Sequence, residues 1–182
     1  MTIPAPEATA LLAFWTQAGR ERWFRKDAGF DTEFRNRFLM LHARAAAGAL
    51  DHWADTADGA LALLLLLDQF PRNAFRDTPR MFATDPHARR IAHGAIDKGL
   101  DQQVAEELRN FLYLPLMHSE DPADHALCAV KTASLGGEAH RYALHHQEIV
   151  RRFGRFPHRN RVLGRTSTPE EERFLAEGGF TG

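Results

Sequence analysis

At 182 residues, with 23 basic and 24 acidic side chains and a formal net charge of -1, the chain is the size of one domain and exerts no global pull on nucleic acid or an anionic membrane. Its one cysteine, Cys128, excludes an internal disulfide. The aliphatic balance sets the fold class. Against 28 Ala and 21 Leu stand four Val and four Ile, and Ala and Leu are strong helix formers whereas β-branched residues carry strands. An all-α fold in a single domain, 1–182, is expected.

The opening stretch MTIPAPEATALLAFW has no basic region before its apolar residues and no small-residue cleavage site, so no signal peptide is expected. The longest apolar run, 60–67, lies between Asp58 and Asp68. It falls well short of the roughly 20 residues that span a membrane. A cytoplasmic protein without a membrane partner is the simplest expectation.

The first expected helix covers 7–18 and ends at Gly19. The second starts after Asp31, a good N-cap, and places Phe34, Phe38, Leu41 and Ala45 on one face. Gly48 suits the left-handed position beyond its end. The third covers 57–69 and is apolar all round from Leu61 to Leu67, as a central buried helix would be. A fourth opens at Thr84-Asp85-Pro86 and closes at Gly99. A fifth follows Asp101, turns Val104, Leu108, Phe111 and Leu112 inward, and must kink or end at Pro115. The sixth opens at Asp121-Pro122 with Ala123, Leu127, Val130 and Ser134 as its inner face, and Gly136-Gly137 breaks it. A seventh covers 138–153. The last opens at a capping box, with Thr168 at N-cap and Glu171 at N3. About eight antiparallel helices joined by short turns make a bundle or a helical stack.

Three loops are more polar than a turn requires. They are Asp68-Gln69-Phe70-Pro71-Arg72-Asn73, the stretch from Tyr113 through His118-Ser119-Glu120-Asp121, and Phe153-Gly154-Arg155-Phe156-Pro157-His158-Arg159-Asn160. The first and third echo each other. Phe-Pro-Arg-Asn and Phe-Pro-His-Arg-Asn each precede a Thr-Pro helix start, which suggests one turn design used twice, with Pro stopping a helix and Arg bonding its last carbonyls. In the functional reading, Arg72, Arg155 and Arg159 converge on an anion through their planar forks, and His118, Glu120 and His158 are candidate proton-transfer groups. In the structural reading, the same groups cap helix ends.

Other chemistry finds less support. Six arginines between 151 and 165 have no acid among them, yet the chain has only three Lys and no nucleic-acid-binding motif, so nucleic acid is not an expected partner. There is no His-Glu-x-x-His and no Glu-x-x-His, and no metal is expected. His140, His145, His146 and Glu148 read as a solvated helix face. Gly-x-Ser-x-Gly and phosphate-binding glycine patterns are absent, and Cys128 reads as a core thiol. Trp23-Phe24 reads as core. No cofactor is indicated.

RWF with the Asp at 27, LLLLDQFPRN at 64–73, FLYLPLMHSED at 111–121, FGRFPHRN at 153–160 and the closing LGRTSTPEEERFL resemble the bacterial domain-of-unknown-function family 924 over most of the chain, about 14–175. That resemblance implies an all-α fold similar to tetratricopeptide-repeat proteins. It assigns no activity. It marks Asp68, Gln69, Arg72, Asn73, His118, Ser119, Glu120, Arg155, His158, Arg159 and Asn160 as shared polar positions.

Two functions follow. One is a binding module that holds an anionic small molecule or a peptide carboxylate through the Arg/Asn/His loops. The other is a small enzyme in which His118 or His158 is the general base, oriented by Glu120 or Asp68, with arginines stabilising negative charge. A third possibility is that these loops only fasten the fold.

Overall fold

A computed structural model describes residues 5–181. Among the described residues every regular element is helical, and no helix is long and apolar enough to cross a membrane. The chain gathers into two compact units. The first comprises the chain up to Arg76 together with Arg80–Pro115, and the second comprises Asp77–Pro79 and the chain from Leu116 onward.

The first unit contains α1 (Pro6–Ala18), α2 (Arg20–Trp23), α3 (Ala28–Ala46), α4 (Ala57–Leu64), α5 (Phe70–Ala74) and α6 (Asp85–Asp97). It also contains all but the last two residues of α7 (Glu106–Met117). Helix α3 begins earlier than the cap pattern predicts. Asp27, not Asp31, is its N-cap and accepts the Phe30 N–H at 3.0 Å. The Asp31 carboxylate instead takes the Asn73 amide at 2.7 Å and the Arg76 guanidinium at 2.6 and 3.0 Å. Phe14, Trp15, Phe30 and Phe34 pack their rings at 5.3 to 5.9 Å. Trp23 joins this core and donates its indole N–H to the Trp15 carbonyl at 2.7 Å, whereas Phe24 is 62% exposed.

Every residue from Gly59 to Leu67 is buried, as a central helix requires. Pro71 does not stop this helix. The helix widens into a π turn over Leu65–Gln69 and continues as α5 through Ala74. In this register Phe70 N–H reaches the Leu65 carbonyl. The next carbonyl, Leu66, would look to Pro71, which has no N–H. Side chains supply the missing donors. His42 Nδ1–H bonds the Leu66 carbonyl at 2.9 Å, Thr84 Oγ1 the Leu67 carbonyl at 2.5 Å, and Arg72 Nη1 the Asp68 carbonyl at 2.8 Å. A buried backbone that lost these partners would be costly, so two distant residues, His42 and Thr84, together with the adjacent Arg72 make the proline tolerable. Pro115 likewise sits inside α7 without ending it at that residue.

The second unit contains α8 (Pro122–Ala133), α9 (Gly137–Phe153), α10 (Asn160–Leu163) and α11 (Pro169–Ala176). Helices α8 and α9 pack against each other. The buried face of α8 is Asp124, His125, Cys128 and Thr132, not the face through Ala123, Val130 and Ser134, and Val130 is 72% exposed. Polar residues hold the inner positions here, so reading apolarity as burial picks the wrong side. Burial pushes the Cys128 thiol up to about 12, consistent with an inert core thiol. The capping box of α11 forms as predicted, with Thr168 and Glu171 exchanging both bonds.

Candidate functional site

Asp68, Gln69, Arg72 and Asn73 lie together at the π turn of the first unit. Gln69 donates to Asp68 at 2.7 Å. Arg72 bonds both oxygens of Asp85 at 2.9 and 3.0 Å and meets Asp68 at 3.1 Å. Asn73 is bonded to Asp31. Arg72 thus spends its fork on two carboxylates and a carbonyl that belong to its own unit.

The remaining seven predicted residues belong to the second unit, where the backbone differs from that at 70–73. Phe70 is helical, at φ -54 and ψ -47, and Phe156 is extended, at φ -91 and ψ 108. The two Phe-Pro motifs are therefore unlike turns: one continues a helix and the other starts a new one. Gly154, at φ +70, ends α9 in the left-handed conformation and turns the chain so that Phe156 points into the core.

Two carboxylates organise this second loop. Glu120 accepts the Phe156 N–H at 2.8 Å and the Arg165 fork at 2.7 and 2.9 Å. Burial works against its charge. The bonds from Arg165 and Phe156 and the fields of Arg165 and Arg159 outweigh that, and the carboxyl is held below its ordinary value. Glu171, 2% exposed, accepts the Arg155 fork at 2.6 and 2.8 Å, the Asn160 amide at 3.2 Å and the Thr168 N–H at 2.8 Å. The Arg155 bonds dominate over burial, and the Glu171 carboxyl falls to about 2. The six arginines of 151–165 are all engaged. Arg151 meets Glu148, Arg152 meets Glu170, Arg155 meets Glu171, Arg161 meets Asp77 and Arg165 meets Glu120. Arg159 donates to the His118 carbonyl at 2.8 Å.

Around Phe156, which is fully buried, lies a cluster of imidazoles. The rings of His125, His146 and His158 stand 6.0, 5.6 and 5.6 Å from it, and His118 stands 6.4 Å from His146. Arg159, 7% exposed, lays its guanidinium over Phe156 at 4.6 Å. His125 Nε2–H donates to the Ser119 carbonyl at 2.7 Å and His146 Nδ1–H to the Tyr142 carbonyl at 2.8 Å. Ser119 Oγ accepts the Asp121 N–H at 3.0 Å. Burial, with the neighbouring positive field, pushes His146 and His158 down to about 3 and lowers His125 as well. These rings are neutral at pH 7. The Nδ1 atoms of His125 and His158 are buried without a hydrogen-bond partner. The arrangement offers neutral donors and acceptors beside one permanent cation. Among the described residues, no three His, Cys, Asp or Glu side chains group closely enough to hold a metal ion.

His125 and His146 escape the sequence reading. The prediction that 140, 145, 146 and 148 form one solvated face is correct for His145 and Glu148, which are exposed, and wrong for His146, which is 6% exposed. Ala143, His146, Ile149 and Val150 share helical spacing and are all buried. That periodicity is the signal that would have found His146.

Comparison with known proteins agrees with this architecture. No curated protein matches. A solved structure, described as a protein of unknown function from Agrobacterium tumefaciens, is 51% identical, covers 94% of this chain and 97% of that one, and superposes with a TM-score of 0.92. Residues 11–179 match the model of a bacterial family of proteins of unknown function, DUF924. With that match across most of its length, the chain belongs to the DUF924 family.

Proposed function

We propose that this protein is a binding module for an anionic small molecule or a peptide carboxylate, and that its site is the imidazole and guanidinium cluster around Phe156. The observation that carries the reading is the convergence of three imidazoles and Arg159 on one buried ring, with a fourth imidazole, His118, beside His146. Arginine offers an anion a two-point fork. The N–H groups of His125 and His146 are spent on backbone carbonyls, but His158, whose Nδ1 has no partner, can present an N–H to it without the cost of burying further charge. Imidazoles held near 3 are weak bases at pH 7, which favours holding a ligand over moving a proton. A likeness to tetratricopeptide-repeat folds and a cytoplasmic setting belong to the same proposal.

The test is thermal unfolding of the full chain with acetate, succinate, citrate, inorganic phosphate and a short peptide. A ligand at 100 times its dissociation constant adds about 2.7 kcal/mol, a rise of several degrees for a chain of this size. The rise is expected to survive Arg72→Gln, measured from that variant's own baseline, and to vanish in a folded Arg159→Gln. A flat panel with the folded wild-type chain contradicts the proposal.

A further inference from the structure

The cluster around Phe156 already holds a guest from its own chain. Beyond α11, Gly178 takes φ +85 and the Gly179 N–H bonds the Phe174 carbonyl at 2.8 Å, so the backbone doubles back. A Cβ on Gly179 would lie 2.5 Å from that same carbonyl oxygen, which makes the return turn specific to glycine. The turn delivers Phe180 to the imidazoles. Its ring centre lies 4.6 Å from His146, 5.1 Å from His158 and 5.7 Å from His145, with interplanar angles of 65°, 84° and 79°. These are edge-on geometries of the kind aromatic pairs favour. The ring is only partly buried and is tethered by two glycines. It rests on imidazole rings, two steps from Arg159 by way of Phe156.

We propose that the slot between His146 and His158 is an aromatic subsite, and that Phe180 is a tethered competitor that must leave before ligand enters. This rests on the binding reading above and narrows its ligand to a planar aromatic ring bearing an anionic group. The ring replaces Phe180 between the two imidazoles, and His158, whose Nδ1 has no partner, can present an N–H to the anion. Two observations favour a displaceable plug over a fixed core residue. The tether is a Gly-Gly pair rather than a helix, and the partners of the ring are imidazoles able to hydrogen-bond a polar substituent where the phenyl of Phe180 offers none.

The experiment titrates phenyl phosphate and inorganic phosphate into the full chain, Phe180→Ala and Phe180→Leu. Nuclear Overhauser contacts between the Phe180 ring and His146 are followed in the wild type. Removing the competitor is expected to tighten phenyl phosphate binding about tenfold in both variants and to leave inorganic phosphate binding unchanged. In the wild type, phenyl phosphate is expected to erase the Phe180–His146 contact. If inorganic phosphate binds but phenyl phosphate gains nothing from either variant, the plug is overturned and the anion-binding reading stands. If neither compound binds any form, both fall. If both variants unfold, Phe180 is a core residue and the plug is overturned.

Discussion

The two units bury different chemistry. The first is built on Leu61 and Leu63 to Leu67 together with Trp15, Phe30, Phe34 and Phe70, all close to fully buried. The second has the smaller apolar core of Ile149, Val150 and Phe156. It buries His125, His146, Arg159, Asn160 and Glu171 beside that core. Aliphatic and aromatic side chains do not titrate, so acid reaches the first unit chiefly through His42 and the few carboxylates buried beside its apolar core. A core made of neutral imidazoles and paired charges holds only while each group keeps the protonation state in which it was buried. The first unit buries polar groups too, among them His42, Asp68, Asn73 and Asp101, so the contrast lies in the small apolar core of the second unit and in the imidazoles packed directly on it.

Four measurements would break or sharpen that contrast. Leu65→Ala opens a cavity in the most buried helix and should cost about 3 to 5 kcal/mol, equally at pH 7 and pH 5; denaturant unfolding at both values checks it. Acid should strike the second unit hardest. His146 and His158 have folded values near 3 against about 6.5 unfolded. The unfolded chain therefore binds protons first, and stability is lost as pH falls from 6.5 towards 3. At pH 5 each contributes a loss of about 2 kcal/mol. His42, lowered by its burial in the first unit, acts in the same direction but singly. Hydrogen exchange at pH 7 and pH 5 should show α8 and α9 losing more protection than α4. Glu171→Gln removes the charge that Arg155 and the Thr168 cap rely on and should cost about 2 to 3 kcal/mol. Its own acid loss falls lower, between about 4.5 and 2, since its folded value is depressed to about 2. Thr84→Val keeps the shape but strips the donor from the Leu67 carbonyl and should cost about 1 to 2 kcal/mol. A Thr84→Val protein as stable as wild type would mean the π turn needs no side-chain donor.

What the sequence discloses follows the same division. The long Leu run, the Thr168 cap and the Gly99 stop are local signals, and each appears in the structure as read. The start of α3 is missed because Asp27 and Asp31 are both able caps, and a residue 45 positions away, Arg76, decides between them. The passage of the helix through Pro71 is not local either. It depends on His42 and Thr84, far from 71 in sequence, reaching the orphaned carbonyls. In the second unit the sequence points to His118, Glu120, Arg155, His158, Arg159 and Asn160. It overlooks His125 and His146 because a buried histidine and a solvated one are the same letter. Only the company of Ala143, Ile149 and Val150 on the inner face of α9 distinguishes them. The Phe-Pro echo misleads because similar letters occupy a helical Phe70 and an extended Phe156.

The most direct measurement is the imidazole 15N spectrum of the labelled full chain, recorded from pH 8 to pH 4 with and without inorganic phosphate. The account predicts that His146 and His158 stay neutral at pH 5 and that the resonances of the cluster around Phe156 move when phosphate is added, but not in Arg159→Gln. Resonances that titrate near 6.5 and ignore phosphate would contradict it, leaving those imidazoles as exposed side chains with no part in a binding site.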